Sequence, residues 1–144
     1  MLTTFLRRIA FVFAVSTLLG LPVLANAQTA APSAASNKAS AIFAGGCFWC
    51  IEKDFEKLQD VIEVESGYTA GKTAKPTYEQ VSAGRTGHTE AVRVHYDPSK
   101  VSYAQLVEYF WRHIDPTVKD QQFCDHGTQY RSGIYWQNPE ERKA

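Results

Sequence analysis

The chain has 144 residues, with 15 basic and 15 acidic side chains and 12% aromatic residues. That length holds one modest core, and a balanced, unpatterned charge gives no electrostatic footprint for nucleic acid or an anionic membrane. The cysteines, Cys47, Cys50 and Cys124, are too few for a disulfide-stapled scaffold and odd in number, which points to working sulfur.

Arg7 and Arg8 precede a nearly unbroken apolar run from Ile9 to Leu24, and Ala25-Asn26-Ala27 is a small-x-small cleavage pattern. Residues 1–27 therefore read as a secretory signal peptide; the run is short for the ~20 residues of a membrane span. The chain after Ala27 carries thirteen basic against fifteen acidic residues, a formal charge of −2. Residues 28–40, mostly Ala, Ser, Thr and Pro, read as a flexible linker. The expected product is an exported, periplasmic protein with no stable membrane span after cleavage and one domain over 41–144.

Ala41 to Ala44 is a short apolar run that predicts a buried strand. Gly45-Gly46 breaks it. Phe48, Ile51, Phe55 and Leu58 then recur at helical spacing, with charged residues between them. Val61 to Ser66 alternates as a strand does. The stretch from Gly67 to Gly87, rich in Gly, Thr, Ala and Lys and containing Pro76, predicts a long loop of the kind that carries function. Glu90 to Tyr96 alternates again, and Asp97-Pro98-Ser99 turns it. Val101 to Ile114 predicts an amphipathic helix that Ser99 or Ser102 caps. Asp115 to Gln129 is irregular, and Ser132 to Trp136 is a last strand. Asn138-Pro139 starts a further helix. The order β-α-β-β-α-β predicts an α+β, ferredoxin-like two-layer sandwich: a mixed sheet with helices on one face. That fold names no function.

The chemistry is in the sulfur. Cys47 follows a strand and two glycines at a helix start, where free N–H groups favour negative charge and lower a thiol's pKa. Cys50, one helical turn on, is placed to resolve an oxidised Cys47, and so is Cys124 in the loop Gln122 to Gly127; a structural Cys50–Cys124 disulfide is the other reading. A zinc site from Cys47, Cys50, Cys124 and His126 is disfavoured by the Cys-x-His spacing and by bulky Phe48-Trp49 inside the knuckle. Ala70-Gly71-Lys72-Thr73 lacks the earlier glycine of a phosphate-binding loop. Glu90, at a strand start beside a glycine loop, is placed as a tuned acid. Tyr78, Tyr130, His88 and Asp125 are polar donors, individually uninformative.

Taken together, these stretches resemble the peptide methionine sulfoxide reductase A family. The resemblance runs through Gly46-Cys47-Phe48-Trp49, Glu65 to Gly71, Pro76-Thr77-Tyr78, Gly84 to Val92, Tyr96-Asp97-Pro98, Asp115-Pro116-Thr117 and Asp125 to Ser132, covering about Ala41 to Glu141. It implies that Cys47 is the nucleophile, with Phe48 and Trp49 the pocket for the substrate methyl group. It implies Glu90 as the acid, Tyr78 and Tyr130 as hydroxyl donors to the sulfoxide oxygen, and Asp125 as a supporting carboxylate. The implied product on the enzyme is a Cys47 sulfenic acid, resolved by Cys124 first and Cys50 second. A helical i, i+3 pair needs unwinding before it can bond, which places Cys50 second. The implied activity is reduction of peptide-methionine (S)-S-oxide in oxidised proteins under oxidative stress. No metal or organic cofactor is implied, only an external thioredoxin-like reductant, and the protein is expected to be a monomer. The family's domain normally continues beyond where this chain stops, so the chain reads as a C-terminally shortened member. The competing readings are a general thiol–disulfide oxidoreductase using Cys47 and Cys50, and a zinc-stabilised or plain ferredoxin-like binding module.

Overall fold

The structure, a computed structural model, describes residues 37–144. The signal peptide expected over 1–27 and most of the linker expected over 28–40 lie outside the described residues. In chain order the elements are β1 (Ala39–Ala44), α1 (Phe48–Phe55), β2 (Val61–Thr69), α2 (Tyr78–Ser82), β3 (Thr89–Tyr96) and α3 (Tyr103–Trp111). The chain continues through β4 (Gln121–Gln122), β5 (Asp125–His126), a 3₁₀ turn (Thr128–Tyr130), β6 (Gly133–Tyr135) and α4 (Pro139–Lys143).

The strands of the main sheet lie in the order β2-β3-β1-β6, which is the ferredoxin-like arrangement. Every neighbouring pair is antiparallel, which corrects the mixed sheet expected from the sequence. The reason is topological. Each helix carries the chain over to a strand parallel to its predecessor, and the gap left between the two is filled by a strand running the other way.

Alternation sorts the sheet into two faces. Ala41 and Phe43 of β1, Val64 of β2, and Val92, Val94 and Tyr96 of β3 point to one side, where Phe48, Ile51 and Phe55 of α1 and Leu106 and Phe110 of α3 meet them. Phe43 is the hub, with its ring 5.0 Å from Phe55, 5.2 Å from Phe110 and 6.3 Å from Tyr103. Truncating such a residue costs about 3–5 kcal/mol. Of the two expected caps for α3, Ser102 serves: its hydroxyl accepts from the Gln105 N–H while the Gln105 side chain accepts from the Ser102 N–H. That reciprocal pair satisfies donors the helix cannot use itself.

Two parts of the expected long loop are ordered differently. β2 runs on through Gly67, Tyr68 and Thr69, paired with Ala91, Glu90 and Thr89 of β3. Farther along, Thr77 caps the short helix α2 by the same reciprocal exchange with Gln80. Within the expected irregular stretch, β4 and β5 form a two-residue hairpin with Phe123 and Cys124 at its tip. The C-terminal end of β1, the C-terminal end of β2, the start of β3 and the N-terminus of α1 all gather at one end of the sheet.

Candidate active site

Cys47 is the N-cap residue of α1, with φ −57° and ψ 118° and no capping bond from its own side chain. Its carbonyl accepts from the Cys50 and Ile51 N–H groups, so the helix begins properly while the thiol stays free. The turn into the cysteine depends on Gly46, whose φ of +91° is a region that side chains avoid. A Cβ on Gly46 would lie 2.5 Å from the Cβ of Gln122. Gln122 is itself 1% exposed. Its amide donates to the Asp115 carbonyl at 2.7 Å and the Ser132 hydroxyl at 2.8 Å, and accepts from the Asp115 N–H at 2.8 Å. This satisfied amide wedges the β4–β5 hairpin against the turn that delivers the thiol.

Glu90 stands on the helix-facing side of β3 at 2% exposure. One of its oxygens accepts from the Phe48 N–H at 3.0 Å, which ties the carboxyl to the residue after the cysteine. Burial pushes its pKa above the usual carboxylate range; the Phe48 N–H pulls the other way, and the charge of Asp125 adds to the rise. One oxygen is thus held by the backbone and the other is left to carry a proton. Burial, and then the charges of Glu90 and Asp125, also raise the Tyr130 hydroxyl, with smaller contributions from Tyr78 and Cys47.

The rings make an apolar basin beside the thiol. Phe48 lies 5.2 Å from Trp49 and 6.4 Å from Tyr78, and Trp49 stacks on Tyr78 at 5.7 Å. Phe48 is buried, whereas Trp49 is 60% and Tyr78 44% exposed, so the rings run from the core out to the surface. Aromatic faces suit a polarisable sulfur and its methyl group.

The structure thus brings Cys47, Phe48, Trp49, Cys50, Tyr78, Glu90, Asp125 and Tyr130 together. Cys124 is placed apart from them in one respect: it sits at the exposed hairpin tip, free, next in sequence to Asp125. Cys50 is nearer to the chemistry. Although the residue is exposed, desolvation of its sulfur, a hydrogen bond with Cys47 and the charges of Cys47, Asp125 and Asp54 all push its thiol up. Cys47 is the N-cap, outside the helix proper, so a bond between the two sulfurs needs less unwinding than one between two residues inside the helix. Among the described residues no group of three or more His, Cys, Asp or Glu side chains is placed to hold a metal ion.

Two participants escaped the sequence reading. Gln122 carried no signal, since a polar residue is buried only when distant backbone supplies its partners. Tyr68 was assigned to a loop, yet it continues the β2 alternation past Gly67 and lies directly across from Glu90.

A free thiol at a helix start, a buried carboxyl whose surroundings favour its protonated form, and a cluster of aromatic rings together make up a candidate thiol site. Comparison with known proteins gives the family. The family model for peptide methionine sulfoxide reductase matches residues 39–144. The reductase MsrA of Limosilactobacillus reuteri is 54% identical over 104 residues, which is 72% of this chain and 59% of that protein. MsrA 2 of Caulobacter vibrioides is 45% identical over 130 residues, 90% of this chain and 63% of that protein. Among solved structures, methionine sulfoxide reductase A of Corynebacterium diphtheriae superposes with a TM-score of 0.70 at 37% identity, covering 74% of this chain and 54% of that one. Reduced Mxr1 from Saccharomyces cerevisiae gives a TM-score of 0.70 at 30% identity, covering 76% and 65%. The chain belongs to the peptide methionine sulfoxide reductase family. It spans about three fifths of the length of these curated relatives.

Proposed function

We propose that this chain reduces peptide-bound or free methionine (S)-S-oxide to methionine at Cys47. What supports the reading most directly is the Glu90 carboxyl, buried, inclined to hold a proton, and fastened to the backbone beside the thiol. A sulfoxide sulfur accepts a nucleophile readily only when its oxygen is protonated or strongly hydrogen-bonded. The substrate methyl group rests against Phe48 and Trp49, with the oxygen toward Glu90, Tyr78 and Tyr130. The Cys47 thiolate attacks sulfur, and the Glu90 proton goes to the oxygen. Oxygen passes to Cys47, the substrate sulfur gains two electrons, and the products are methionine, a Cys47 sulfenic acid and a Glu90 carboxylate. Asp125 disfavours that carboxylate and so favours its reprotonation.

Cys50 then attacks the sulfenic acid, water leaves, and a Cys47–Cys50 disulfide forms. We take Cys50 as the resolving thiol because it lies one helical turn from Cys47 and is exposed and free; the sequence reading put Cys124 first, and Cys50→Ser against Cys124→Ser separates the two. An external dithiol protein of thioredoxin type returns the pair to thiols, and no resident cofactor takes part. With the expected signal peptide, the substrates are oxidised proteins outside the cytoplasm, and the protein works as a monomer.

Cys47→Ser tests the proposal: methionine formation from a sulfoxide peptide should vanish, and appreciable residual turnover would refute the mechanism. A second reading, general thiol–disulfide exchange by Cys47 and Cys50, draws on the same two free thiols. It has no use for Glu90, so Glu90→Gln separates the two.

A further inference from the structure

We propose that Tyr68 is a positioning residue of this site: its ring backs Phe48 and closes the Glu90 carboxyl off from water. The inference rests on the reductase reading for its consequence, though not for its geometry. Tyr68 and Glu90 are direct partners across the β2–β3 ladder, so their side chains leave the sheet on the same face, a few ångströms apart. The Tyr68 ring lies 5.6 Å from that of Phe48. His88 meets its edge at 6.5 Å. His88 is fixed in turn by a 2.9 Å hydrogen bond between Nε2 and the Thr73 carbonyl. It also packs on Gly71 so closely that a Cβ there would collide with the imidazole.

A line of contacts therefore runs from the loop at Gly71–Thr73 through His88 and Tyr68 to Phe48, and Phe48 donates its N–H to Glu90. The Tyr68 hydroxyl has no hydrogen-bond partner among the described residues, so it is the ring that acts. Its effect on Glu90 is to exclude water. A carboxyl that water reaches gives up its proton more easily, and an acid already ionised cannot protonate a sulfoxide. The groups that face Glu90 are the Phe48 N–H from α1, Tyr68 from β2, Asp125 from β5 and Tyr130 from the 3₁₀ turn. Of these, Tyr68 and Tyr130 can change its solvation without adding a charge.

The test compares Tyr68→Phe and Tyr68→Leu with the wild-type chain by two readouts. The first follows the Glu90 carboxyl by carbon-13 NMR on glutamate-labelled protein through a pH titration, which requires no turnover. The second is single-turnover methionine formation across the same pH range, with melting temperature as the folding control. Tyr68→Phe should match the wild type in both. Tyr68→Leu should titrate Glu90 at lower pH and lose rate at correspondingly lower pH. Its substrate half-saturation should rise about three- to tenfold, the worth of one aromatic contact. Should Tyr68→Leu not fold, Tyr68→Met keeps most of the buried volume without a ring and is read in the same way. An unchanged Glu90 titration in the folded Leu or Met variant overturns the inference. If the Glu90 titration responds to Tyr68 while the wild-type chain makes no methionine, the inference is upheld and the reductase reading is overturned instead.

Discussion

Replacing Glu90 by Gln should move activity and stability in opposite directions. The substitution is nearly isosteric, and the new amide oxygen can still accept from the Phe48 N–H that Glu90 binds at 3.0 Å. What disappears is the proton. General acids of this kind supply roughly 10²- to 10⁴-fold, so the sulfur–oxygen step should slow by that factor, about 3–5 kcal/mol in barrier. Substrate binding, set by the ring basin, should change little. Stability follows from the direction of the shift. Burial, with Asp125, raises Glu90 above its unfolded value, so the folded state holds the proton more tightly than the unfolded state does. The stability linked to that proton is complete below the ordinary carboxylate range, near pH 4, and is lost as pH climbs through the folded value. Gln never ionises. The variant should therefore melt at or above the wild-type temperature at neutral pH, with the difference shrinking toward pH 4. Single-turnover kinetics and thermal melts across that range read both effects. A rate within threefold of wild type, or a variant that melts lower at neutral pH than at pH 4 relative to wild type, would refute the reasoning.

Other substitutions probe the frame and the thiols. Gly46→Ala should destabilise by about 2–5 kcal/mol, combining a strained φ of +91° with overpacking against Gln122; a melting temperature within 5 °C of wild type would contradict the packing described. Cys50→Ser should still yield about one methionine per chain without reductant but lose thiol-recycled turnover, while Cys124→Ser should keep most of that turnover. The reverse pattern, read in a steady-state assay with a dithiol, would hand the resolving role to Cys124. Trp49→Ala should raise the substrate half-saturation several-fold by removing an exposed ring of the basin, with Cys47 alkylation by iodoacetamide unchanged; equal losses in both would show that the ring supports the thiol instead.

Periodicity carried most of the fold. The strand before Gly45-Gly46, the Phe48–Ile51–Phe55 stripe and the alternation from Glu90 to Tyr96 follow directly from apolar spacing, and with them the β-α-β-β-α-β order. The end of β2 was hidden because Gly67 and Thr69 flank Tyr68 and read as loop. The pairing with Ala91, Glu90 and Thr89, which no local window contains, makes the strand. α2 was legible in principle, since Thr77 and Gln80 form a capping box, but five residues with one buried valine give no periodicity to see. The Phe123–Cys124 turn was illegible for another reason: Phe123 adopts φ +52°, a conformation that its side chain does not favour and that only the surrounding hairpin imposes.

The site divides in the same way. Cys47 announces itself through the glycines before it and the helix after it. Glu90 and the tyrosines took their meaning from the family resemblance, and they stand on β3, α2 and the 3₁₀ turn, elements far apart in the chain. Gln122 became visible only with its backbone partners in place.

The measurement that bears most directly on the central claim is a single-turnover assay without reductant, using the separated epimers of a methionine sulfoxide peptide. About one methionine per chain is expected from the S epimer and none from the R epimer, with the loss of two thiols as a Cys47–Cys50 disulfide forms. A folded chain that yields no methionine from either epimer, or yields it with all three thiols intact, would contradict the proposed chemistry.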